Sequence, residues 1–413
     1  MRELLKQGAT IVMLGAGGVG KTTITAALGL AAAREGLNTA LITVDPARRL
    51  REALGLQRLS AEPTRLDRRR LRSAGLDSSI HLSAMMLDVK RTWDGLVQQI
   101  VSSPEARARM LTNPFYRSLS EQFAGAEAYA ALEQLDELQR AGQFDIRIVD
   151  TPPAAQAFDF FEAPRRLVRL LDSPAARWLF RPEAALSRNA LSLAGRAANF
   201  VVTQLEAFTG TDTLSALSDF FSLAAEAANS LSERFHKTEA MIHSGRVKFV
   251  LVTTPREDRL RNALELAALA GQRNFSLRAV VLNRLLDERS FVALRNARRR
   301  PPPYFAEIPK LRSLFPDTDS KCRSLINYLE AYRQHQTFAA ERAIRFAREL
   351  PSETALSVVP ALEPAVRDLQ SLAKLSSLFG PPSSGRKFLE HAADVFGVAA
   401  PETRRGPRSF AQH

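Results

Sequence analysis

Six short runs of β-branched and aliphatic residues recur along this chain of 413 residues. Each run has the length and composition of a strand buried on both faces, and helical patterns lie between them. Strands that alternate with helices form a mostly parallel sheet covered by helices, so the pattern predicts a doubly wound α/β fold. The predicted strands cover residues 10–14, 39–44, 146–149, 249–253, 279–282 and 357–359.

Two segments between these strands are too long for ordinary crossovers. In residues from about 80 to 140 and from about 158 to 245, apolar side chains recur at three- and four-residue intervals, which is typical of helices. We expect both segments to form a helical layer inserted into one domain of residues 1–380. The second segment is rich in phenylalanine, which fits either a packed helical core or an exposed apolar groove. Residues 381–413 turn to Pro, Ser, Gly and Arg, which predicts a mobile tail.

Residues 10–23 read TIVMLGAGGVGKTT and carry the most specific chemical signal of the chain. An apolar strand ends at a glycine, the spacing Gly-x-x-x-x-Gly-Lys-Thr follows, and a helical pattern begins. Glycines let the backbone curl until several N–H groups and the positive end of the helix face one anion. This arrangement predicts a P-loop that binds a nucleoside triphosphate, with Lys21 reaching the β- and γ-phosphates and Thr22 ligating Mg²⁺. The predicted contact residues are Gly15, Gly17, Gly18, Val19, Gly20, Lys21, Thr22 and Thr23.

Two aspartates each close a predicted strand. Asp150 follows the run IRIV, where a carboxylate that faces the P-loop would help to hold Mg²⁺. Asp45 ends the second strand, where it would orient or deprotonate the water that attacks the γ-phosphate. Each has an alternative role, Asp150 as a turn former and Asp45 as the N-cap of a helix that Pro46 begins. Beside a P-loop we prefer the functional interpretation, with Lys21 and Asp45 catalytic and with Thr22 and Asp150 as metal ligands.

Asn283 ends the predicted strand at 279–282, on the rim of the sheet where a nucleotide base would lie. Its amide offers both a donor and an acceptor to the edge of adenine. A turn-forming asparagine explains the residue equally well, so the residues alone leave both interpretations open.

The formal net charge of +13 is carried mostly by arginine. Such charge attracts nucleic acid or anionic lipid, yet a solvated arginine-rich surface accounts for it as well, and no motif singles out a nucleic-acid partner. The single cysteine, Cys322, excludes disulfides within the chain and favours a cytoplasmic location. No apolar run reaches the roughly 18 residues of a membrane-spanning helix, and because the first strand starts so early we expect no signal peptide.

Taken together, these motifs resemble the ATPase family that includes the arsenite-pump ATPase and the ATPase that guides tail-anchored proteins to membranes. The similarity covers most of residues 8–380 and extends to the bacterial branch often labelled anion-transporting ATPase. The stretches that carry it are GAGGVGKTT at 15–23, TVDPARRL at 43–50, VDTPPAAQAFDFFEAP at 149–164, VLNR at 281–284 and VPALEPAVRDL at 359–369.

The resemblance implies a deviant P-loop ATPase that uses ATP and Mg²⁺ and works as a homodimer or as a heterodimer with a related ATPase. Switch I would lie around residues 45–50 and switch II around residues 150–155. Asn283 and the loop at Pro360 and Leu362 would contact adenine. The helical layer would bind a hydrophobic client or a membrane partner, so we expect a cytoplasmic protein that is either free or peripheral at the membrane.

Two departures from the family pattern bear on activity. The signature lysine that reaches the partner subunit's nucleotide should stand at position 16, where this chain has Ala16. Hydrolysis is then slow or depends on another cation, for which Lys90 and Arg48 are the candidates. Cys322 alone supplies neither the thiolate cluster of a metalloid site nor the paired-cysteine motif of a dimer zinc site.

These observations lead to two hypotheses from different classes. The first is a Mg²⁺-dependent ATPase whose nucleotide state moves the helical layer. The second, motivated by Ala16, is a weakly hydrolysing regulatory subunit that pairs with a competent ATPase. A partition-type ATPase that coats DNA is a weaker third idea, because such proteins are usually shorter and lack the long aromatic insert.

Overall fold

The computed structural model describes residues 4–44, 49–122, 126–151, 211–285, 319–362, 366–379 and 389. Within this part of the chain lies one eight-stranded sheet with the order β3-β4-β2-β5-β1-β6-β7-β8. Neighbouring strands are parallel except at the edge, where β3 is antiparallel to β4. The strands are β1 (Ala9–Leu14), β2 (Thr39–Thr43), β3 (Thr64–Arg65), β4 (Leu82–Met86), β5 (Ile146–Asp150), β6 (Val247–Thr253), β7 (Leu277–Leu285) and β8 (Ala355–Pro360).

Helices cover both faces of this sheet. The helices of the described residues are α1 (Lys21–Arg34), α2 (Arg49–Ala53), α3 (Arg68–Ser73), α4 (Val89–Ile100), α5 (Pro104–Thr112), α6 (Pro114–Gln122), α7 (Ala126–Ala141), α8 (Thr211–His243), α9 (Glu257–Gln272), α10 (Asp319–Glu349) and α11 (Leu369–Ser376), the last of which continues as a 3₁₀ turn over Ser377–Phe379.

The central strand β1 shows how the sheet separates two cores. Ile11 and Met13 belong to a core that includes side chains of α1 and α11. Val12 and Leu14 point the opposite way, into a core that includes side chains of α4 to α10. Successive side chains of a strand face opposite sides, so a strand buried on both faces reads as a continuous apolar run. The doubly wound α/β fold predicted from the sequence is confirmed.

All six predicted strands are present, and the observed strands differ from the predicted ranges by a few residues at their ends. Strands β3 and β4 were not predicted, and β4 corrects the expectation that residues 80–140 are helical. Its sequence LSAMM contains no β-branched residue, and leucine, alanine and methionine favour helices. Parallel pairing with β2 makes this segment a strand, so tertiary context overrides local preference.

The remainder of the first long segment is helical, as α4 to α7, and α8 covers much of the second. Residues 152–210, which carry most of the phenylalanines of the second segment, lie outside the described residues. Phe220 on α8 packs against the core. Of residues 381–413 the structure describes only Leu389, which is buried in the same core.

Helices α8 and α10, with 33 and 31 residues, have the length to span a bilayer. Neither is apolar enough, and the same holds for every other helix in the described ranges. Helix α10 nevertheless exposes three aromatic side chains, those of Tyr328, Tyr332 and Phe338.

Candidate nucleotide-binding site

The loop between β1 and α1 has the backbone conformation that only glycine adopts readily. Gly15, Gly18 and Gly20 have φ angles of +155°, +80° and +90°. Gly20 is also the N-cap of α1, and the first turn of that helix contains no acidic side chain. Because the positive end of the helix is not neutralised within its first turn, it favours an anion bound at the loop.

Two of these glycines lie in close contact with neighbouring strands. A Cβ atom on Gly15 would lie 2.5 Å from the carbonyl oxygen of Val252 on β6, and one on Gly20 would lie 2.4 Å from Nδ2 of Asn283 on β7. A Cβ on Gly17 or Gly18 would instead meet no other group within 4 Å, and both residues are exposed. The loop therefore rests on the carboxyl ends of β6 and β7, while its crest is open to a ligand.

Lys21 is buried although it carries a charge. Only 8% of the residue is exposed, and Nζ donates a hydrogen bond to the carbonyl oxygen of Gly15 at 3.3 Å. This contact lays the side chain back along its own loop, so that the ammonium group is held beside the glycine backbone. Thr22 and Thr23 follow at the start of α1 and are half-buried. Lysine, threonine and loop amides are the groups that bind phosphate and its Mg²⁺ in a P-loop.

Asp150 lies one strand away from the loop. It ends β5, pairs in register with Met13 of β1, and is 1% exposed. The hydroxyl of Thr25, on the first turns of α1, donates a hydrogen bond to Oδ1 of Asp150 at 3.5 Å. Thr151 ties the end of β5 to β1 by donating to the carbonyl oxygen of Met13 at 2.6 Å. A buried carboxylate beside the start of α1 fits a Mg²⁺ ion that Thr22 and phosphate oxygens would also bind.

Asn283 contacts the P-loop, which the sequence did not indicate. Its Nδ2 donates to the carbonyl oxygen of Val19 at 2.8 Å, and its Oδ1 accepts from the amide of Arg284 at 3.0 Å. An asparagine amide has two N–H groups and two lone pairs, so these two bonds leave capacity for a contact with adenine. The predicted adenine contact stays a prediction.

The loop at Pro360 and Leu362 lies beside the same strand end. Pro360 pairs with Leu285 of β7, and the amide of Ala361 donates to the carbonyl oxygen of Leu285 at 2.9 Å. The carboxyl ends of β7 and β8 are thus neighbours, which brings Asn283 and this loop to the same edge of the sheet, and the predicted adenine contact of Pro360 and Leu362 stays a prediction.

The predicted catalytic residue Asp45 lies outside the described residues, as does Arg48. Val44, the residue before Asp45, donates its amide to the carbonyl oxygen of Asp150 at 3.1 Å. The second candidate cation, Lys90, forms an ion pair with Asp94 and lies 5.0 Å from the centre of the Tyr116 ring. Lys90 is therefore engaged with groups of α4 and α6. To reach the nucleotide of a partner subunit it would have to leave them.

No group of three or more His, Cys, Asp or Glu residues is placed to hold a metal ion within the described ranges. In a P-loop, one hydroxyl and one carboxylate share the ion with phosphate oxygens and water. Thr25, Thr151 and Val252 also shape the site and were not predicted. The sequence could have indicated Thr25, because it stands one helical turn after Thr22 and so lies on the same face of α1.

Several known proteins are similar in sequence to this chain. A sequence profile of the family described as anion-transporting ATPase matches residues 9–319. A Streptomyces coelicolor protein described as uncharacterized is 30% identical over 193 residues, which cover 46% of this chain and 44% of that protein. The ATPase GET3 of Malassezia globosa is 26% identical over 157 residues, which cover 38% and 43% of the two chains. A putative arsenical pump-driving ATPase of Aquifex aeolicus is 23% identical over 206 residues, with coverages of 49% and 48%.

Each of these alignments spans less than half the length of the relative. The family profile, in contrast, covers most of this chain, including β1, the P-loop, Asp150 and Asn283. The profile and the folded site agree with the resemblance seen in the motifs: the chain belongs to the anion-transporting ATPase family.

Proposed function

We propose that this chain is a Mg²⁺-dependent ATPase. The observation that carries the proposal is the combination of a glycine loop in positive-φ conformations, a buried Lys21 laid along that loop, and a buried Asp150 beside the start of α1. Family membership supports the same conclusion.

The residues of this chain have distinct roles in the proposed reaction. Loop amides and the N-terminus of α1 bind the phosphates, and Lys21 neutralises charge on the β- and γ-phosphates. Thr22 and Asp150 would hold Mg²⁺, which supplies Lewis-acid stabilisation of phosphate charge when bound. Asp45 is the proposed group that orients the attacking water, on the basis of its position after β2 in the sequence.

We further propose that the active form is a dimer and that nucleotide state controls a helical layer that binds a hydrophobic client or a membrane partner. Relatives named ATPase GET3 and arsenical pump-driving ATPase support an energy-coupled role. Outside that layer, α10 exposes Tyr328 and Tyr332 one helical turn apart, where they are available for contact with an apolar partner. Contacts to the γ-phosphate that hold mobile loops would couple the two regions.

A second function, that of a weakly hydrolysing regulatory subunit, is favoured by one observation. Ala16, half-buried beside Gly15, replaces the lysine that the family pattern places at this position. Without that cation, little charge stabilisation would reach the partner's nucleotide.

The rate of ATP hydrolysis by the isolated chain distinguishes these functions. For an ATPase we expect Mg²⁺-dependent turnover that falls by about 10²–10³-fold in Lys21→Ala, which removes one charge-stabilising donor. Asp45→Asn should abolish turnover while ATP still binds. Lys237→Ala, at an exposed lysine of α8, is the control and should match the wild type.

Two results would contradict the ATPase proposal. If wild-type chain binds ATP but turns over no faster than Lys21→Ala, the regulatory role replaces it. If calorimetry with Mg²⁺ detects no ATP binding by folded wild-type chain, both functions are wrong.

A further inference from the structure

The buried amide of Asn283 touches the P-loop at the point where the loop becomes a helix. Nδ2 donates to the carbonyl oxygen of Val19 across 264 positions of sequence, and Asn283 and Val19 are 8% and 2% exposed. A Cβ on the next residue, Gly20, would lie 2.4 Å from the same Nδ2 atom. The amide therefore occupies the space above Gly20 and satisfies a carbonyl oxygen that is shielded from water.

The backbone of β7 is shaped to deliver this amide. The register between β7 and β8 shifts between Asn283 and Leu285, and Arg284 has a φ angle of +61°, which non-glycine residues rarely adopt. Such a bulge bends a strand and redirects a side chain. The amide of Arg284 donates to Oδ1 of Asn283 at 3.0 Å, which leaves Nδ2 directed at Val19.

The contact lies next to the charged end of the site. Val19 and Gly20 immediately precede Lys21, whose ammonium group bonds back to the carbonyl oxygen of Gly15. A shift of the Val19 carbonyl would therefore move the N-terminus of α1 and the origin of the Lys21 side chain together.

We propose that Asn283 is a positioning residue that holds the P-loop in its phosphate-binding conformation, independently of any contact with adenine. This inference rests on the proposed function, since it concerns how the loop binds a nucleoside triphosphate. A loop that is already ordered loses less conformational entropy when the phosphates bind. The hydrogen bond from Asn283 to Val19 therefore raises the affinity of the loop for the phosphate chain itself.

Magnesium tripolyphosphate tests this role because it carries a phosphate chain without a base. Calorimetry on the full chain would compare its affinity, and that of magnesium ADP, between wild type and Asn283→Ala. We expect both affinities to fall by about tenfold, the change that loss of one buried hydrogen bond permits. Wild-type affinity of Asn283→Ala for tripolyphosphate would overturn the proposal. If ADP affinity alone fell, Asn283 would be an adenine contact only.

Asn113→Ala is a matched control. Asn113 is 6% exposed, its Nδ2 donates to the distant carbonyl oxygen of Ala216 at 2.7 Å, and its Oδ1 accepts from the amide of Phe115 at 2.9 Å. The variant loses the same kind of bonds in the helical layer, and we expect wild-type affinity for tripolyphosphate. An equal loss of affinity in Asn113→Ala would overturn the proposal, because the effect would then be one of general stability.

If Asn283→Ala does not fold, Asn283→Ser tests the same contact with Val19. A serine hydroxyl can still accept from the amide of Arg284 but is too short to reach Val19, so we expect the same loss of tripolyphosphate affinity. Failure of wild-type chain to bind tripolyphosphate and ADP would instead count against the proposed function, and the inference would fall with it.

Discussion

The hydroxyl of Thr25 donates to Oδ1 of Asp150 at 3.5 Å, although the two residues are 125 positions apart in the chain. The same hydroxyl donates to the carbonyl oxygen of Lys21 at 2.9 Å, one turn earlier in α1. A hydroxyl has one proton, so Thr25 shares it between the helix and the carboxylate. The position of the proposed metal ligand is thereby linked to the start of the helix that carries Lys21 and Thr22.

Thr25→Val should weaken Mg²⁺ binding without removing any metal ligand. Groups that orient a ligand typically change metal affinity by about 10–100-fold when they are lost. We expect the Mg²⁺ midpoint of ADP binding to rise by that factor, and Asp150→Asn to raise it at least as far. The measurement is a Mg²⁺ titration at fixed nucleotide.

Thr238→Val is the control for this prediction. Thr238 on α8 is also buried and also donates to the carbonyl oxygen four residues earlier, that of Arg234, at 3.0 Å. It should leave the Mg²⁺ midpoint at the wild-type value. If Thr25→Val does the same, the link between α1 and Asp150 has no role in metal binding.

Gly15→Ala should destabilise the fold by more than a positive φ angle alone can explain. Its Cβ would lie 2.5 Å from the carbonyl oxygen of Val252, a backbone atom of a central strand that cannot move aside. Gly36→Ala also places an alanine at a positive φ angle, +88°, but its Cβ would meet no other group within 4 Å. We expect a loss of about 1–2 kcal/mol in the free energy of unfolding for Gly36→Ala.

For Gly15→Ala we expect a further loss of about 1–3 kcal/mol, typical of a side chain forced into a packed site. Urea unfolding of both variants measures the difference. Equal destabilisation of the two would mean that the loop does not rest on β6 in solution.

Glu133→Gln should uncouple α7 from α8. The side chain of Glu133 is 4% exposed and accepts from Nε of Arg234 at 2.6 Å and from the hydroxyl of Tyr129 at 2.9 Å. Loss of the carboxylate leaves the largely buried guanidinium of Arg234 without its charge partner, so we expect a loss of about 3–5 kcal/mol in the free energy of unfolding.

Burial raises the pKa of Tyr129, so its hydroxyl stays a protonated donor to Glu133 at neutral pH.

Asp219→Asn tests an ion pair that faces water and joins α8 to α5. Asp219 accepts from Arg109 at 2.7 Å, and the two side chains are 50% and 57% exposed. An exposed pair contributes about 0–1 kcal/mol, so this variant should unfold almost like the wild type in urea. If Glu133→Gln also lost less than about 1 kcal/mol, burial of the Glu133–Arg234 pair would add nothing to the free energy of unfolding.

Local sequence predicted the P-loop well because a strand, a glycine turn and a helix start are encoded within consecutive residues. The apolar run of β1, the positive-φ glycines and Lys21 need no distant partner to be recognised. The alternation of apolar runs and helical patterns predicted the doubly wound sheet for the same reason, since a strand buried on both faces must be apolar throughout. Strand β4 was missed because its residues favour a helix and only its pairing with β2 decides otherwise.

The sequence by itself determined the class of fold and the groups proposed to bind phosphate, because both follow from short-range backbone and side-chain chemistry. Only the tertiary structure decided that Asn283 contacts Val19, that Thr25 reaches Asp150, and that Lys90 lies over the ring of Tyr116. The first two contacts join residues more than a hundred positions apart, and the third depends on the packing of α4 against α6. The Thr25–Asp150 contact depends on the order of the strands, and the Asn283–Val19 contact depends also on the bulge in β7; no local pattern of residues encodes either.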